Sequence, residues 1–201
     1  MTLSIIIVSY NVKYYLKQCL HSVFASVCSF NFEVIIIDNA STDESIPFLR
    51  TAFPKALYPQ LHFIESKINH GFGKANNIAY QRATGDYILF LNPDTIIAED
   101  TLANCLSFAR SHTDLGALGV KMLNDNGSFA LESRRSTPTP WRAFCKLIGL
   151  NKLFPRSKYF GMYYLQHLDP SCSSQIDIVS GAFRLISRKG AEAVGLFDEV
   201  F

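Results

Sequence analysis

Long apolar runs are missing from this 201-residue sequence. The β-branched stretch at residues 3–8 is far too short to cross a bilayer, and no basic segment precedes it, so neither a transmembrane helix nor a signal peptide is expected. The five cysteines (Cys19, Cys28, Cys105, Cys145 and Cys172) are odd in number, widely spaced and free of any CxxC pair. They indicate neither a disulfide framework nor a zinc site, and reduced thiols fit a cytosolic protein, at most one working at the inner face of the membrane. Charge of one sign is also lacking. The formal net charge is +2, and no basic run is interleaved with aromatics in a recognisable module, which argues against nucleic acid as a partner. After the first apolar run stands Ser9-Tyr10-Asn11 rather than GxGxxG, which disfavours NAD or FAD, and there is no Walker sequence. The five histidines have no ligand spacing, and no internal repeat is present.

What is there is alternation. Residues 3–8, 33–37, 61–65 and 86–91 read as strands, and 116–123 as a fifth. Between them, Leu16, Cys19, Leu20, Val23, Phe24 and Val27 recur at helical spacing, with Cys19 as a small core residue. Ser41-Thr42-Asp43-Glu44 has the capping-box pattern ahead of Ile46, Leu49 and Phe53. Helices are expected at 73–84, stopped by Gly85, and at 99–111, where Leu102, Cys105, Leu106 and Ala109 face inward. Buried strands joined by helices predict an α/β fold, a mostly parallel sheet covered on both faces. Past residue 123 the pattern changes: Asn124-Asp125-Asn126-Gly127 reads as a turn between short strands, 176–187 as an extended segment and 188–194 as a short helix. Residues 1–123 are therefore expected to form one region and 124–201 a second, within one continuous domain.

In such sheets, ligands sit at the carboxyl ends of the strands. Three polar signatures fall there: Ser9-Tyr10-Asn11, Asp38-Asn39-Ala40-Ser41 and Asn92-Pro93-Asp94. Either aspartate alone would serve as a cap or turn former. Together they suit a nucleotide diphosphate: one carboxylate accepts hydrogen bonds from base or ribose, and the other holds Mn²⁺ or Mg²⁺ against the phosphates. Gly71-Phe72-Gly73 precedes a helix, where free amides can face an anion, although glycines there also simply relax a turn.

Four motifs in one order carry a family likeness: Ile-Ile-Val-Ser-Tyr-Asn, Ile-Ile-Asp-Asn-Ala-Ser-Thr-Asp, Asn-His-Gly-Phe-Gly-Lys-Ala-Asn-Asn and Leu-Phe-Leu-Asn-Pro-Asp. The chain resembles family 2 glycosyltransferases over essentially its whole length, and within them the bacterial rhamnosyltransferase-like branch. The resemblance implies a GT-A fold, with a donor-binding α/β region followed by a smaller mixed acceptor-side region. It also implies an inverting transfer of a sugar from a nucleotide diphosphate to a saccharide or lipid-linked acceptor in polysaccharide synthesis.

By that likeness Tyr10 and Asp38 meet base and ribose. Asn69, Gly71, Asn76 and Asn77 line the donor pocket, to which Ser9, Asn11 and Asn39 are added from the strand ends. Asn92-Pro93-Asp94 resembles the family's Asp-x-Asp motif, with Asp94 as metal ligand and Asn92 in place of its first aspartate. Gly181 and Ala182 match the segment facing sugar and acceptor. In similar proteins Gly195-Leu196-Phe197-Asp198-Glu199 is followed shortly by the acidic pair that supplies the catalytic base, so the base is expected beyond Phe201. Asp198 and Glu199 themselves read as a turn. A truncated chain is expected on that ground, one that binds donor without efficient transfer. The rivals are a non-catalytic nucleotide-sugar-binding domain and, on a related sheet, a sugar-1-phosphate nucleotidyltransferase, which would carry a Gly-rich basic loop after its first strand.

Residues 141–164 stand apart. Arg142, Lys146, Lys152, Arg156 and Lys158 are interleaved with Trp141, Phe144, Leu147, Ile148, Leu153, Phe154 and Phe160. This stretch either packs its apolar side on the acceptor region or lies on a membrane surface.

Overall fold

The structure is a computed structural model that describes residues 1–154, 156–157 and 159–199, without the side chains of Glu132 and Lys152. Of the residues singled out above, Lys158 and the Lys152 side chain lie outside that description, as does Phe201. The chain forms two compact units: residues 1–118 with 181–201, and residues 119–180.

The first unit begins with β1 (Leu3–Ser9), α1 (Lys13–Phe24), β2 (Phe32–Asn39), α2 (Ser45–Ala52), β3 (Leu61–Ser66), α3 (Gly71–Tyr80), β4 (Tyr87–Leu91) and α4 (Thr101–Ser111). It takes up the chain again with β7 (Phe183–Ser187) and α7 (Arg188–Val194). The intervening unit contains β5 (Arg134–Arg135), α5 (Pro140–Leu147), α6 (Leu150–Leu153) and β6 (Ile178–Val179). The main sheet has the order β3-β2-β1-β4-β7, with the first four strands parallel and β7 antiparallel to β4. It is a mostly parallel sheet flanked by helices, the architecture that the alternating pattern implies.

Burial explains why the strands carry unbroken β-branched runs. Ile6, Ile35, Ile37, Ile88 and Phe90 pack with Ala75, Ala79 and Ala83, so α3 covers one face through its small residues. Residues of the other parity (Ile5, Ile7, Val34, Ile36, Leu89) are equally buried, so the second face is covered too. Cys19 and Cys105 sit in the core with the apolar stripes of α1 and α4, as their spacing indicates.

A buried polar knot closes the amino end of the sheet. The Glu33 carboxylate accepts from Ser4 Oγ at 2.7 Å, Thr84 N at 2.8 Å and Thr84 Oγ1 at 2.7 Å, while Ser4 Oγ accepts from Gly85 N at 2.8 Å. A Cβ on Gly85 would meet Ser4 N at 2.6 Å, so only glycine lets the turn before β4 lie against β1. Arg188 clamps the same turn, donating to the carbonyls of Ala83 at 2.7 Å and Gly85 at 2.8 Å.

Five local expectations change in the structure. Helix α3 ends at Tyr80, well before Gly85, and Val27 lies beyond the end of α1 and is exposed. Residues 116–123 make single bridges, Leu118 to Leu185 and Leu123 to Phe129, because β7 takes the place beside β4 that a fifth strand would occupy. The extended stretch at 176–187 breaks near Gly181 into β6 and β7, which belong to different units; the division therefore falls at 118/119 and 180/181 rather than at 123. The capping box does not form. Glu44 is left-handed at the α2 N-cap, and Asp43 instead accepts from Ser45 N and Ser45 Oγ.

Two measurements check this packing. Burial acts to raise the Glu33 pKa, but the hydrogen bonds from Thr84 and Ser4, with the nearby His62, outweigh it and leave the carboxyl below its ordinary value. A lowered folded pKa stabilises above the unfolded value and loses that contribution as pH falls through the folded one. Glu33→Gln should therefore cost about 1–3 kcal/mol in urea unfolding at neutral pH, with the gap to the parent narrowing below about pH 4. The Cys105 thiol is pushed up to about 12 by burial, with the Asp100 charge adding. Iodoacetamide at about pH 8 should alkylate the exposed Cys172 and leave Cys105 unlabelled in mass spectra of the folded chain.

Candidate functional site

The strand order turns at β1: the chain builds outward to β3 on one side, then returns to place β4 on the other. The crevice at such a switch point, outside the carboxyl ends of the strands, is where open α/β sheets bind ligands. The register sets Ser9 directly beside Asp38 there, and both are buried. Asp38 Oδ2 accepts from Ser41 N at 3.0 Å, whereas Asp38 Oδ1 and Ser9 Oγ are enclosed and have no hydrogen-bond partner among the described residues. Unsatisfied buried polar atoms are costly, so two side by side mark a place where a polar ligand or water completes the structure. Tyr10 follows, half exposed.

The asparagines are also bonded to the protein itself. Asn11, at positive φ, accepts from Thr42 N at 2.8 Å through Oδ1, while its own N–H donates to Ser41 Oγ at 2.9 Å. Asn39 donates to Asn69 Oδ1 at 2.7 Å and to the Gly71 carbonyl at 3.2 Å, and accepts from His70 N at 2.8 Å. Asn69 Oδ1 also accepts from Gly71 N at 2.9 Å, so that amide already has a partner. Asn76 is buried and donates to the Phe72 carbonyl. The loops after β1, β2 and β3 are thus tied to one another by side-chain amides. The ties hold Ala40 in the left-handed region (φ 66°), a conformation costing roughly 1–2 kcal/mol for a residue with a Cβ.

Asp43 extends this fastening. It receives Lys13 N at 3.2 Å besides the two Ser45 groups, and the Lys13 ammonium donates to its carbonyl at 2.6 Å. Burial acts to raise the Asp43 pKa, but the hydrogen bonds from Ser45 and Lys13 prevail and hold it low. Lys13 and Asp43 were missed as a pair in the sequence, where 30 residues separate them.

At the end of β4 the ladder runs on by one bond, Asn92 N to the Ala182 carbonyl at 2.9 Å, which brings Gly181 and Ala182 beside Asn92-Pro93-Asp94. Cys19 Sγ donates to the Asn92 carbonyl at 3.7 Å. Its pKa is pushed up to about 12 by burial and by the Asp94 charge, which places that carboxylate within electrostatic reach of the sheet end. Asp94 is exposed, and among the described residues its carboxylate takes no hydrogen bond. No three His, Cys, Asp or Glu side chains gather into a metal cage among the described residues. Asp94 therefore fits a hard cation only as a single ligand beside oxygens from a diphosphate.

Asn77 is bonded to residues 197 and 199. Its amide accepts from Phe197 N at 3.1 Å and donates to the Phe197 carbonyl at 2.9 Å and to Glu199 Oε1 at 3.0 Å. Lys74 lies 3.8 Å from Glu199 Oε2, and the Phe197 ring packs edge-on against Phe72 and Phe90. A Cβ on Gly73 would meet the Asp198 carbonyl at 2.7 Å. The segment at 195–199 that reads as a turn is docked on α3, and of the Gly-Phe-Gly glycines Gly73 alone is required by that close approach.

Comparison with known proteins bears on the family and the fold. The family model described as glycosyl transferase family 2 matches residues 4–195. The poly(ribitol-phosphate) beta-glucosyltransferase of Bacillus spizizenii is 32% identical over 163 residues, 78% of this chain and 25% of the relative. The structure of Staphylococcus aureus TarS 1–349 in complex with UDP-GlcNAc aligns with 71% of this chain and 38% of that one, at TM-score 0.54 and 28% identity. The mannosyltransferase PcManGT of Pyrobaculum calidifontis, solved with GDP-Man and Mn²⁺, aligns with 98% of this chain and 47% of that one, at TM-score 0.65 and 21% identity, a likeness of fold. The fold is thus GT-A, as these neighbours share it. The chain spans 41% or less of the length of the first curated relatives it matches.

The docked segment yields a direct test. Removing three hydrogen bonds at about 1 kcal/mol each, Asn77→Ala should lose about 2–3 kcal/mol in urea unfolding. Limited proteolysis should also cut sooner near Phe197. A loss below about 0.5 kcal/mol would mean that the contact does not hold the segment in solution.

Proposed function

The chain belongs to glycosyl transferase family 2, and on that premise we propose that the crevice at the β1 switch point binds the nucleotide diphosphate of a sugar donor. The whole protein then transfers the sugar, within the rhamnosyltransferase-like branch, to a saccharide or lipid-linked acceptor of a cell-surface polysaccharide. The observation that carries this reading is the pair of enclosed, unpartnered atoms, Ser9 Oγ and Asp38 Oδ1, at adjacent strand ends.

In this reading Asp38 accepts from an N–H of the base or a hydroxyl of the ribose, with Ser9 beside it, and the exposed Tyr10 ring lies against the base. Asn11, Asn39, Asn69 and Gly71 shape the pocket by holding its loops, and Asn76 and Asn77 by fixing α3 and the segment docked on it. Asp94 holds Mn²⁺ or Mg²⁺ together with the diphosphate, and Asn92 flanks it. When bound, the metal stabilises negative charge on the departing diphosphate. Gly181 and Ala182 border the transferred sugar. Transfer is inverting: the acceptor oxygen bonds to the anomeric carbon, opposite the departing diphosphate, as a carboxylate takes the hydroxyl proton. That carboxylate is assigned to none of the described residues. A nucleotidyltransferase is disfavoured by Ser-Tyr-Asn after β1, where it would need a glycine-rich basic loop.

The test is a thermal-shift panel of UDP, dTDP and GDP, each with and without Mn²⁺, on the parent chain, Asp38→Asn and Asp94→Ala. A ligand at about a hundred times its dissociation constant stabilises by roughly 2.7 kcal/mol, a rise of roughly 5–10 °C. One nucleotide should give that rise, with Asp94→Ala removing its metal dependence and Asp38→Asn weakening it with or without metal. If no nucleotide moves the melting point of the full-length gene product, the donor-site reading fails. Binding by that product without turnover would favour the non-catalytic domain.

A further inference from the structure

The second unit carries a surface that donor binding does not use. From Ser133 to Leu168 the sequence contains no Asp or Glu, yet holds seven of the 19 Lys and Arg: Arg134, Arg135, Arg142, Lys146, Lys152, Arg156 and Lys158. The other twelve share the rest of the chain with all 17 acidic residues. A neutral balance overall therefore conceals a local excess of one sign.

The same segment exposes its large apolar side chains. Thr139 caps α5, accepting from Arg142 N at 3.3 Å, and Pro140 occupies its first turn. Of the α5 residues only Cys145 is buried. Trp141 and Phe144 on α5, and Ile148 just beyond it, follow at helical spacing and all stand half exposed. Leu147 is 85% exposed, Tyr159 77% and Leu153 69%. The aromatics gather laterally rather than sinking inward: Trp141 lies 6.0 Å from Phe144 and 6.4 Å from Phe160, which lies 5.7 Å from Phe154. A contiguous apolar patch of this kind in water marks an interaction surface.

We propose that this face of the second unit docks on an anionic lipid bilayer. Charge decides the occupant. A patch meant for a second copy of itself would set like charges together: the segment holds seven Lys and Arg and no acid, and Arg135, Lys146 and Arg156 among them are exposed. An anionic bilayer supplies the opposite sign over an extended plane, and its interface favours Trp, Tyr and Leu inserted among the headgroups. Lys146 already lies over the Tyr163 and Tyr164 rings, at 4.1 and 5.2 Å, a cation held beside aromatics as such an interface requires. Among the described residues no helix is long and apolar enough to cross the membrane. Docking deepens the acceptor side of the transferase reading, on which it rests for its purpose alone: it would bring the enzyme to a lipid-linked acceptor.

Co-sedimentation of the full chain with vesicles tests this without nucleotide, so its outcome is separable from that of the donor panel. The vesicles are phosphatidylcholine alone, or with about a third phosphatidylglycerol. Binding should be at least about tenfold stronger to the anionic vesicles and should fall away near 0.5 M salt, where charges are screened over roughly 4 Å. The double variant Trp141→Ala, Leu147→Ser and the variant Arg156→Glu change exposed side chains; each should lower binding while keeping the parent melting temperature. Equal binding to both vesicle types, no binding to either, or full binding by both variants would overturn the proposal. So would a dimer in analytical ultracentrifugation that the double variant dissociates while vesicles recruit nothing.

Discussion

β1 is hydrogen-bonded along both edges by parallel partners, β2 on one side and β4 on the other, and every functional placement in the first unit follows from that double pairing. A parallel pair cannot be joined by a tight turn, so each connection passes through a helix and the strands share one polarity. Their carboxyl ends therefore lie together, with Ser9 and Asp38 abreast and Asn92-Pro93-Asp94 after the neighbouring strand. The pairing is secured at the opposite end by Glu33, Ser4, Thr84 and Gly85, where a single added Cβ would intrude on the β1 backbone. The polar knot at one end and the candidate crevice at the other belong to the same three strands.

Within the crevice the polar residues divide into two kinds. Asn11, Asn39, Asn69 and Asn77 give at least one amide atom to backbone or side chains elsewhere, because segments outside the ladder must satisfy their backbone groups, while Asn76 bonds back within α3. Among the described residues, Ser9 Oγ, Asp38 Oδ1, the Tyr10 ring and the Asp94 carboxylate make no such hydrogen bonds. A site needs both kinds: the first holds geometry, including the strained Ala40, and in the proposed reading the second is left for the ligand. Residue type alone does not separate them, since an asparagine in a binding motif looks the same whether its amide faces a nucleotide or a neighbouring loop.

The elements that local pattern could reveal were those whose cause is local. The runs at 3–8 and 33–37 are strands because β-branched residues bury on both faces of a sheet, and the stripe through Leu16, Cys19, Leu20 and Val23 is a helix because one side must be apolar. The expected strand at 116–123 failed for a non-local reason. Its edge of the sheet was already taken by Phe183–Ser187, which arrives from some 65 residues later in the chain. The capping box failed because Asp43, fastened to Lys13 across 30 residues, competes for the α2 terminus.

By itself the sequence determined the α/β class, the motifs at the strand ends and the family they resemble, because alternation and motif order are properties of the chain read in one dimension. Only the tertiary structure decided that β1 is the switch point, that β7 closes the sheet, and that Asn77 and Gly73 receive the 197–199 segment. It also decided which polar atoms are left without an internal partner. Those outcomes depend on which edges and faces meet in space, and distant residues settle that through pairing and burial rather than through any local spacing.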